Sequence, residues 1–331
     1  MVWTPLHSKL HHTLRRRFRD WGTGRSPFRG GRILVAVSGG QDSLCLLQLL
    51  KDLQRQWQWH LGVAHCDHGW PTDQGMADHV ANIAANYELP YFQQNAHNLP
   101  ETEAAARTWR YQALTAIAEE QQFPVVVTGH TQTDRAETLL FNLLRGSGSD
   151  GLQALGWERG LSPSVTLLRP LLEISRRETG DFCRQRALPI WEDVLNQKLD
   201  YRRNRIRQEL IPYLQQQFNP QVETTLAQTV EIITAEVDYL DHLSQTLYQQ
   251  VLSPDGDRLD RVTLQTHPLA LQRRVIRRFL QSFQRHAPNF EQIEAVVALI
   301  NAPNRSQSST LPGKWVVRVE GNFLCRQALK P

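Results

Sequence analysis

The run Ile33-Leu34-Val35-Ala36-Val37-Ser38-Gly39-Gly40-Gln41-Asp42-Ser43-Leu44 decides the fold. Its first five residues are continuously apolar, so they predict a strand buried on both faces. From Leu44 to Leu53 leucine recurs at helical spacing, which predicts a helix. Between the two, paired glycines let the backbone approach a ligand closely and take positive φ without steric cost. The free amides of a helix start then face that ligand, and the helix dipole favours an anion there. Ser38 and Ser43 add hydroxyl donors, and Asp42 is placed either to cap the helix or to hold a magnesium ion beside phosphates. Gly-Gly alone reads as an ordinary turn; strand, S-G-G-x-D-S and helix in succession read as a phosphate loop. Neither G-x-x-x-x-G-K-[ST] nor G-x-G-x-x-G occurs in it, which excludes the kinase-like P-loop and the dinucleotide fingerprint there.

Outward from this loop the pattern repeats. Leu61 to Ala64, Pro90 to Phe92 and Val125 to Val127 predict three more strands, with helical stretches at about 75–87, within 101–122 and at about 133–144. Strand–helix alternation means an α/β fold, a parallel sheet with helices on both faces, whose ligands lie at the carboxyl ends of the strands. Gly146 to Gly151 reads as a flexible break, Val165 to Leu168 as an added edge strand and Ser175 to Ala187 as a helix. Val222, Leu226, Val230, Ile233, Val237, Leu240, Leu243 and Leu247 predict one long amphipathic helix over about 221–250. Helices at 269–285 and 290–301 and a hairpin turning near Glu320-Gly321 complete a small, mainly helical C-terminal domain. The expected division is a basic N-terminal extension (1–30), a catalytic domain (31–215), a connector helix (216–252) and an accessory domain (253–331).

Composition bounds the function. The chain has 331 residues, 37 Lys plus Arg against 33 Asp plus Glu, and 40% hydrophobic residues, the mix of a globular protein rather than a disordered one. No apolar run reaches the length of a membrane span, and the basic start lacks a secretory leader's apolar core, so a cytoplasmic protein is expected. The four cysteines, Cys45, Cys66, Cys183 and Cys325, form no close pair. That spacing suits neither a disulfide framework nor a zinc or iron–sulfur site. Arginines cluster at Arg15 to Arg17, at Arg202, Arg203, Arg205 and Arg207, and at Arg273, Arg274, Arg277 and Arg278. Four arginines in six residues repel one another and invite a polyanion; the last cluster reads equally as a nucleic-acid contact or a solvated face. Trp57 and Trp59 read as packing residues.

Thr128-Gly129-His130 closes the fourth strand, and Asp134 and Glu137 follow at i+4 and i+7 from His130, so the three are expected on one face near a helix start. The wider run TGHTQTDRAETLLFNLLRGSGSDGL (128–152) resembles the tRNA(Ile)-lysidine synthetase family of ATP pyrophosphatases. Other segments agree: Ala64-His65-Cys66-Asp67-His68-Gly69, the E-x-x-A-R-x-x-R-Y run from Glu103 to Tyr111, Arg169-Pro170-Leu171-Leu172, Trp191-Glu192-Asp193 and the block from Tyr201 to Arg207. Trp70-Pro71 stand where the family usually has Leu-Arg, Arg135 replaces a common Gln, Thr131 a common His and Leu195 a common Ser.

The resemblance implies an enzyme that joins L-lysine to C2 of the wobble cytidine of the CAU anticodon of isoleucine tRNA, through an adenylated cytidine, with release of pyrophosphate and AMP. It implies ATP and Mg2+ as cofactors, tRNA as partner and a homodimer. Ala36, Ser38, Gly39, Gly40, Asp42, Ser43, His65 and Gly129 would bind the nucleotide, with Asp42 at the metal. Asp134 and Glu137 would bind lysine's ammonium, one of them or His130 acting as base. Arg107, Arg110, Arg145, Arg205 and Arg207 would contact substrate phosphates, which guanidinium clamps bidentately. Two rivals share the loop: a tRNA thiolase, which needs reactive cysteines or an iron–sulfur site, and a non-catalytic nucleotide-dependent RNA-binding protein.

Overall fold

The apolar run after Arg32 is a strand because both of its faces find a core. In the computed structural model, which describes residues 3–17, 30–191 and 202–329, the chain divides into two units, Met1–Ile233 and Thr234–Pro331. The first unit contains, in chain order, α1 (Pro5–Arg17), β1 (Arg32–Ala36), α2 (Gln41–Trp57), β2 (His60–Asp67), α3 (Met76–Asn86), β3 (Tyr91–Asn95), α4 (Glu103–Glu120), β4 (Val125–Val127), α5 (Gln132–Leu144) and α6 (Ser149–Leu152). Then come β5 (Glu158–Gly160), β6 (Thr166–Leu168), α7 (Arg176–Gln185), α8 (Arg202–Arg205), a π-helical turn Ile206–Leu210, α9 (Ile211–Gln217) and the start of α10 (Val222–Val251).

The sheet order is β3-β2-β1-β4-β6-β5. All neighbours are parallel except β5, which runs antiparallel to β6. Side chains alternate across it. Ile33 and Val35 pack with Leu46 and Leu50, while Leu34 between them packs with Leu114, Ile117 and Phe123 on the other side. The chain leaves β1 toward β2 and β3 and returns to β1's other flank at β4. Strand order therefore switches between β1 and β4, and the crevice outside their carboxyl ends is where such a sheet binds a ligand.

Several expectations need correcting. Val165 to Leu168 does not form the edge: β6 lies inside β5, whose three exposed residues carry no apolar signal. The break at Gly146 to Gly151 contains the short helix α6. The basic N-terminal segment is helical, and Leu6, Leu10 and Leu14 bury one face of α1 in the same core as β1. Its arginines hide that i, i+4, i+8 stripe from a reading based on charge; Arg16 reaches Glu173, and Arg17 reaches Glu231 at 3.0 Å. Arg135 is buried, paired with Glu231 and stacked on Trp157, where the family's usual Gln is neutral. Trp57 and Trp59 stack on each other at 5.3 Å as packing residues. Glu192, Asp193, Leu195 and Tyr201 of the quoted motifs lie outside the described residues.

The second unit adds to its helices α11 (Arg261–Gln265), α12 (Leu269–Gln281) and α13 (Phe290–Val297) a three-stranded antiparallel sheet of β7 (Arg258–Asp260), β8 (Trp315–Glu320) and β9 (Phe323–Ala328), ordered β7-β9-β8. The hairpin is the expected one, and β7 is an addition. Val275, Ile276, Phe279 and Leu280 of α12 pack on Val317, Val319 and Leu324. Arg273, Arg274 and Arg278 of α12 are paired inside the unit, Arg273 bidentately with Glu294 at 2.7 and 2.8 Å and the other two with Asp241. Among the described residues no helix is long and apolar enough to cross a membrane.

Candidate active site

Gly39 leaves β1 at φ +79°, a conformation open to glycine, and a Cβ there would meet the Trp191 Cβ at 3.2 Å. Trp191 backs the loop, its amide donating to the Gly39 carbonyl at 3.0 Å. Gly40 is the N-cap of α2 and has no side chain to satisfy the first amides, which leaves them for an anion. Asp42 is therefore not the cap. Its carboxylate accepts from Thr179 and pairs with Arg176, both from the start of α7. Burial pushes its pKa up, against the pull of Arg176, with Asp134 adding to the rise. Ser43 is also corrected: its hydroxyl donates to the Gly40 carbonyl at 2.9 Å and accepts from the Ser38 amide at 3.2 Å, so it braces the loop. Ser38 is the exposed hydroxyl donor.

The β4–α5 loop closes onto this turn through Gly129, where a Cβ would lie 2.8 Å from the Asp42 carbonyl oxygen and 3.0 Å from the Ser43 amide nitrogen. Only a residue without a side chain lets the two loops touch. His130 precedes the helix rather than sitting on it, because Thr131 is the N-cap; its Nδ1 lies 2.8 Å from the Thr128 hydroxyl. Burial keeps the imidazole neutral, although nearby Asp134 favours its charged form. Asp134 completes the cap box, accepting from the Thr131 amide at 2.7 Å and hydroxyl at 2.9 Å. Burial raises its pKa, but the Arg207 charge and the Thr131 bonds favour the carboxylate and hold it below the usual range.

Arg207 projects from the π-helical turn onto both carboxylates, bidentate on buried Glu137 and 3.1 Å from Asp134. Such turns recur at functional sites. Burial nevertheless lifts Glu137 to about 7, the Arg207 bonds opposing it. The Arg202–Arg207 cluster therefore finds acids within the protein: Arg203 takes Glu103, Arg205 takes Glu209 at 3.6 Å, and Arg207 takes Asp134 and Glu137. Arg205 and Arg145, which is exposed and stacked on Phe141, make no described contact with the loop residues.

Across the sheet, buried His65 donates from Nδ1 to the Val37 carbonyl at 2.8 Å, bracing the end of β1 beyond Ala36. Burial lowers its pKa and keeps it neutral. Arg107, Arg110 and Arg169 all bear electrostatically on His130. His68 pairs with Asp73 at 3.2 Å, and what Trp70 provides at the first of the two departing positions is a ring stacked on His68 at 4.8 Å. Sequence reading missed Arg176 and Thr179; the available signal was the Ser175–Glu178 capping box, which fixes the helix start that carries them.

The carboxyl ends of β1 and β4 thus bring a loop whose helix start has no side-chain cap against a pair of carboxylates that hold Arg207. A family model described as a PP-loop domain matches residues 7–214, and one described as a TilS substrate binding domain matches residues 259–324. The chain is 66% identical to the tRNA(Ile)-lysidine synthase of Synechocystis sp. over 98% of each chain. It is 52% identical to that of Nostoc sp. over 98% of this chain and 97% of the relative. It is 35% identical to the chloroplastic enzyme of Zygnema circumcarinatum over 87% and 84%. Among solved structures it is similar to the U34-tRNA thiolase NcsA of Methanococcus maripaludis, with a TM-score of 0.55 at 17% identity over 70% of this chain and 83% of that one, a likeness of fold. Two domain matches in the expected order and end-to-end identity of this size carry one conclusion: the chain belongs to the tRNA(Ile)-lysidine synthase family.

Proposed function

We propose that the chain joins L-lysine to C2 of the wobble cytidine in the CAU anticodon of isoleucine tRNA. The observation that carries this reading is the Gly129 contact, which sets an anion loop and a cation-binding carboxylate pair side by side. The cytidine O2 attacks the α-phosphorus of ATP and pyrophosphate leaves into the loop formed by Ser38, Gly39 and Gly40. Lysine's ε-amine then attacks C2, and AMP departs with the oxygen. Adenylation is needed because an oxygen bonded to C2 is a poor leaving group until it belongs to AMP.

The second step needs a neutral amine. With a free pKa of about 10.4, only about one lysine in 2,500 is neutral at pH 7, a cost of about 4.6 kcal/mol. Asp134, held ionised, suits binding the ammonium, and Glu137, near 7, suits accepting its proton. Arg207 occupies this position as an internal cation, and lysine enters by sharing or displacing it. Arg107 and Arg110 serve substrate phosphates, and residues 253–331 contact the tRNA.

A resident magnesium does not fit the donors present. Asp42, the carboxylate beside the loop, is committed to Arg176 and Thr179, and magnesium is held mainly by water and substrate phosphates rather than by an all-protein cage. Magnesium enters this reading only as the companion ion of ATP, and Arg176 stands where it can help neutralise pyrophosphate. The thiolase alternative lacks a nucleophile: Cys45, Cys183 and Cys325 are buried, and burial pushes the Cys66 thiol up to about 12. The substrates meet in the cytoplasm, where this reading places the chain, as a homodimer.

Incubation with ATP, the CAU-anticodon tRNA transcript and labelled lysine tests the proposal. Equal amounts of AMP, pyrophosphate and lysine-modified cytidine are expected. Release of ADP, or pyrophosphate without a lysine-sized gain in mass, overturns it.

A further inference from the structure

We infer that the groove between α4 and the β5–β6 hairpin binds the phosphodiester backbone of RNA, as a site separate from the phosphate loop. The inference rests on the proposed function insofar as the RNA is the substrate tRNA. The groove encloses about 560 Å³ and is lined by Arg107, Thr108, Tyr111 and Gln112 of α4 and by Arg159 and Gly160 of β5. None of these belongs to the loop at Ser38 to Ser43.

Its charge is the main argument. The Arg107 and Arg159 guanidinium carbons lie 5.2 and 4.7 Å from the centre of the Tyr111 ring. Buried Arg169 bonds to the same tyrosine's side chain and donates from Nη1 to the Gly156 carbonyl at 2.7 Å, while its Nε is buried without a partner. Three guanidinium groups thus converge on one phenol. Among the described residues none of the three forms an ion pair with a carboxylate. Of the acids on α4, Glu103 holds Arg203. Glu119 lines the far end of the groove, about 18 Å along the helix from Arg107, and accepts from the Ser164 hydroxyl at 3.4 Å.

The ring face attracts Arg107 and Arg159, yet both oppose the charge on Arg169. An entering anion removes that conflict, and two planar forks held by one ring match the oxygens of a phosphate. Beside the arginines the α4 face adds the neutral hydrogen-bonding side chains of Thr108, Gln112 and Thr115, suited to a chain of phosphates rather than a single buried ion, and its one carboxylate, Glu119, lies at the far end. Arg107 and Arg169 also bear electrostatically on His130, next to Gly129. ATP needs no such site, because its phosphates have the loop.

Arg159 is exposed on a sheet edge, which makes Arg159→Gln a mild change for folding. In the full-length protein, R159Q should weaken binding of the tRNA transcript about ten-fold. It should also lower the slope of log affinity against log salt by about one, the loss of one phosphate contact. KM for ATP and for lysine should stay within two-fold, and Arg159→Lys should recover part of the affinity. Unchanged tRNA affinity and salt slope in a folded R159Q overturn the inference, as does a loss confined to ATP. If the wild type fails to incorporate lysine yet binds RNA through Arg159, the groove stands and the proposed reaction falls.

Discussion

Gly129→Ala tests whether the two loops form one site. The added Cβ would sit 2.8 Å from the Asp42 carbonyl oxygen, 2.9 Å from its carbon and 3.0 Å from the Ser43 nitrogen, where ordinary contact begins at 3.4 Å. All three are backbone atoms in the first turn of α2, whose Leu44 and Leu46 are seated in the core. On the other side, β4 is paired on both edges, with β1 and β6. Neither partner yields freely, so the loops must part by about 0.6 Å at an overpacking cost of about 1–3 kcal/mol. In a unit of this size each kcal/mol lowers Tm by about 2–4 °C, so a fall of about 2–12 °C is expected and the fold survives. The functional effect should exceed that. A misplacement of about 1 Å can cost 100-fold in rate, so half of it predicts about a ten-fold slower release of pyrophosphate in single turnovers, with a raised KM for ATP. Gly156→Ala is the control, because its nearest neighbour is the Glu158 carbonyl oxygen at 3.6 Å. A G129A protein with lowered Tm and wild-type pyrophosphate release would show that the contact is structural only. Wild-type values of both would refute the packing argument itself.

Two further outcomes concern the carboxylates. Asp134→Asn should abolish lysine incorporation while tRNA affinity stays near wild type, measured by labelled lysine and by filter binding; normal lysidine formation would refute its role. Glu137 is raised by burial to about 7 against an unfolded value of about 4.3, so it binds a proton in the folded state that the unfolded chain has released. Its contribution to stability is complete below about pH 4 and is lost as pH rises through about 7, whereas lysine transfer should rise over the same limb if Glu137 takes the proton. Glu137→Gln should flatten both profiles in denaturant titrations and rate measurements; an unchanged activity limb would assign the base elsewhere.

What could be read from the sequence follows from how far each residue's reason lies from it. The strand at Ile33, the turn at Gly39 and the helix from Gln41 to Trp57 owe their form to neighbours within a few residues, and each was legible. Gly129 stood in a quoted motif, but what demands a glycine there is the backbone of Asp42, 87 residues earlier in the chain. The arginines at 202–207 show the opposite error. As a local run they repel and ask for a polyanion, yet the acids that answer Arg203 and Arg207 come from α4 and α5, and Arg207 reaches its pair from a π-helical turn that no 3.6-residue periodicity predicts. Near Arg159 the inference runs the other way. No cluster marked it, on an exposed strand of three residues, but in the folded chain it meets Arg107 and Arg169 over one tyrosine. Repulsion inferred from sequence alone is therefore weak evidence for a nucleic acid, because folding can supply the counter-charge. Repulsion that persists after folding is stronger evidence, and on that ground the Tyr111 groove is a better candidate for RNA phosphates than the longer arginine run.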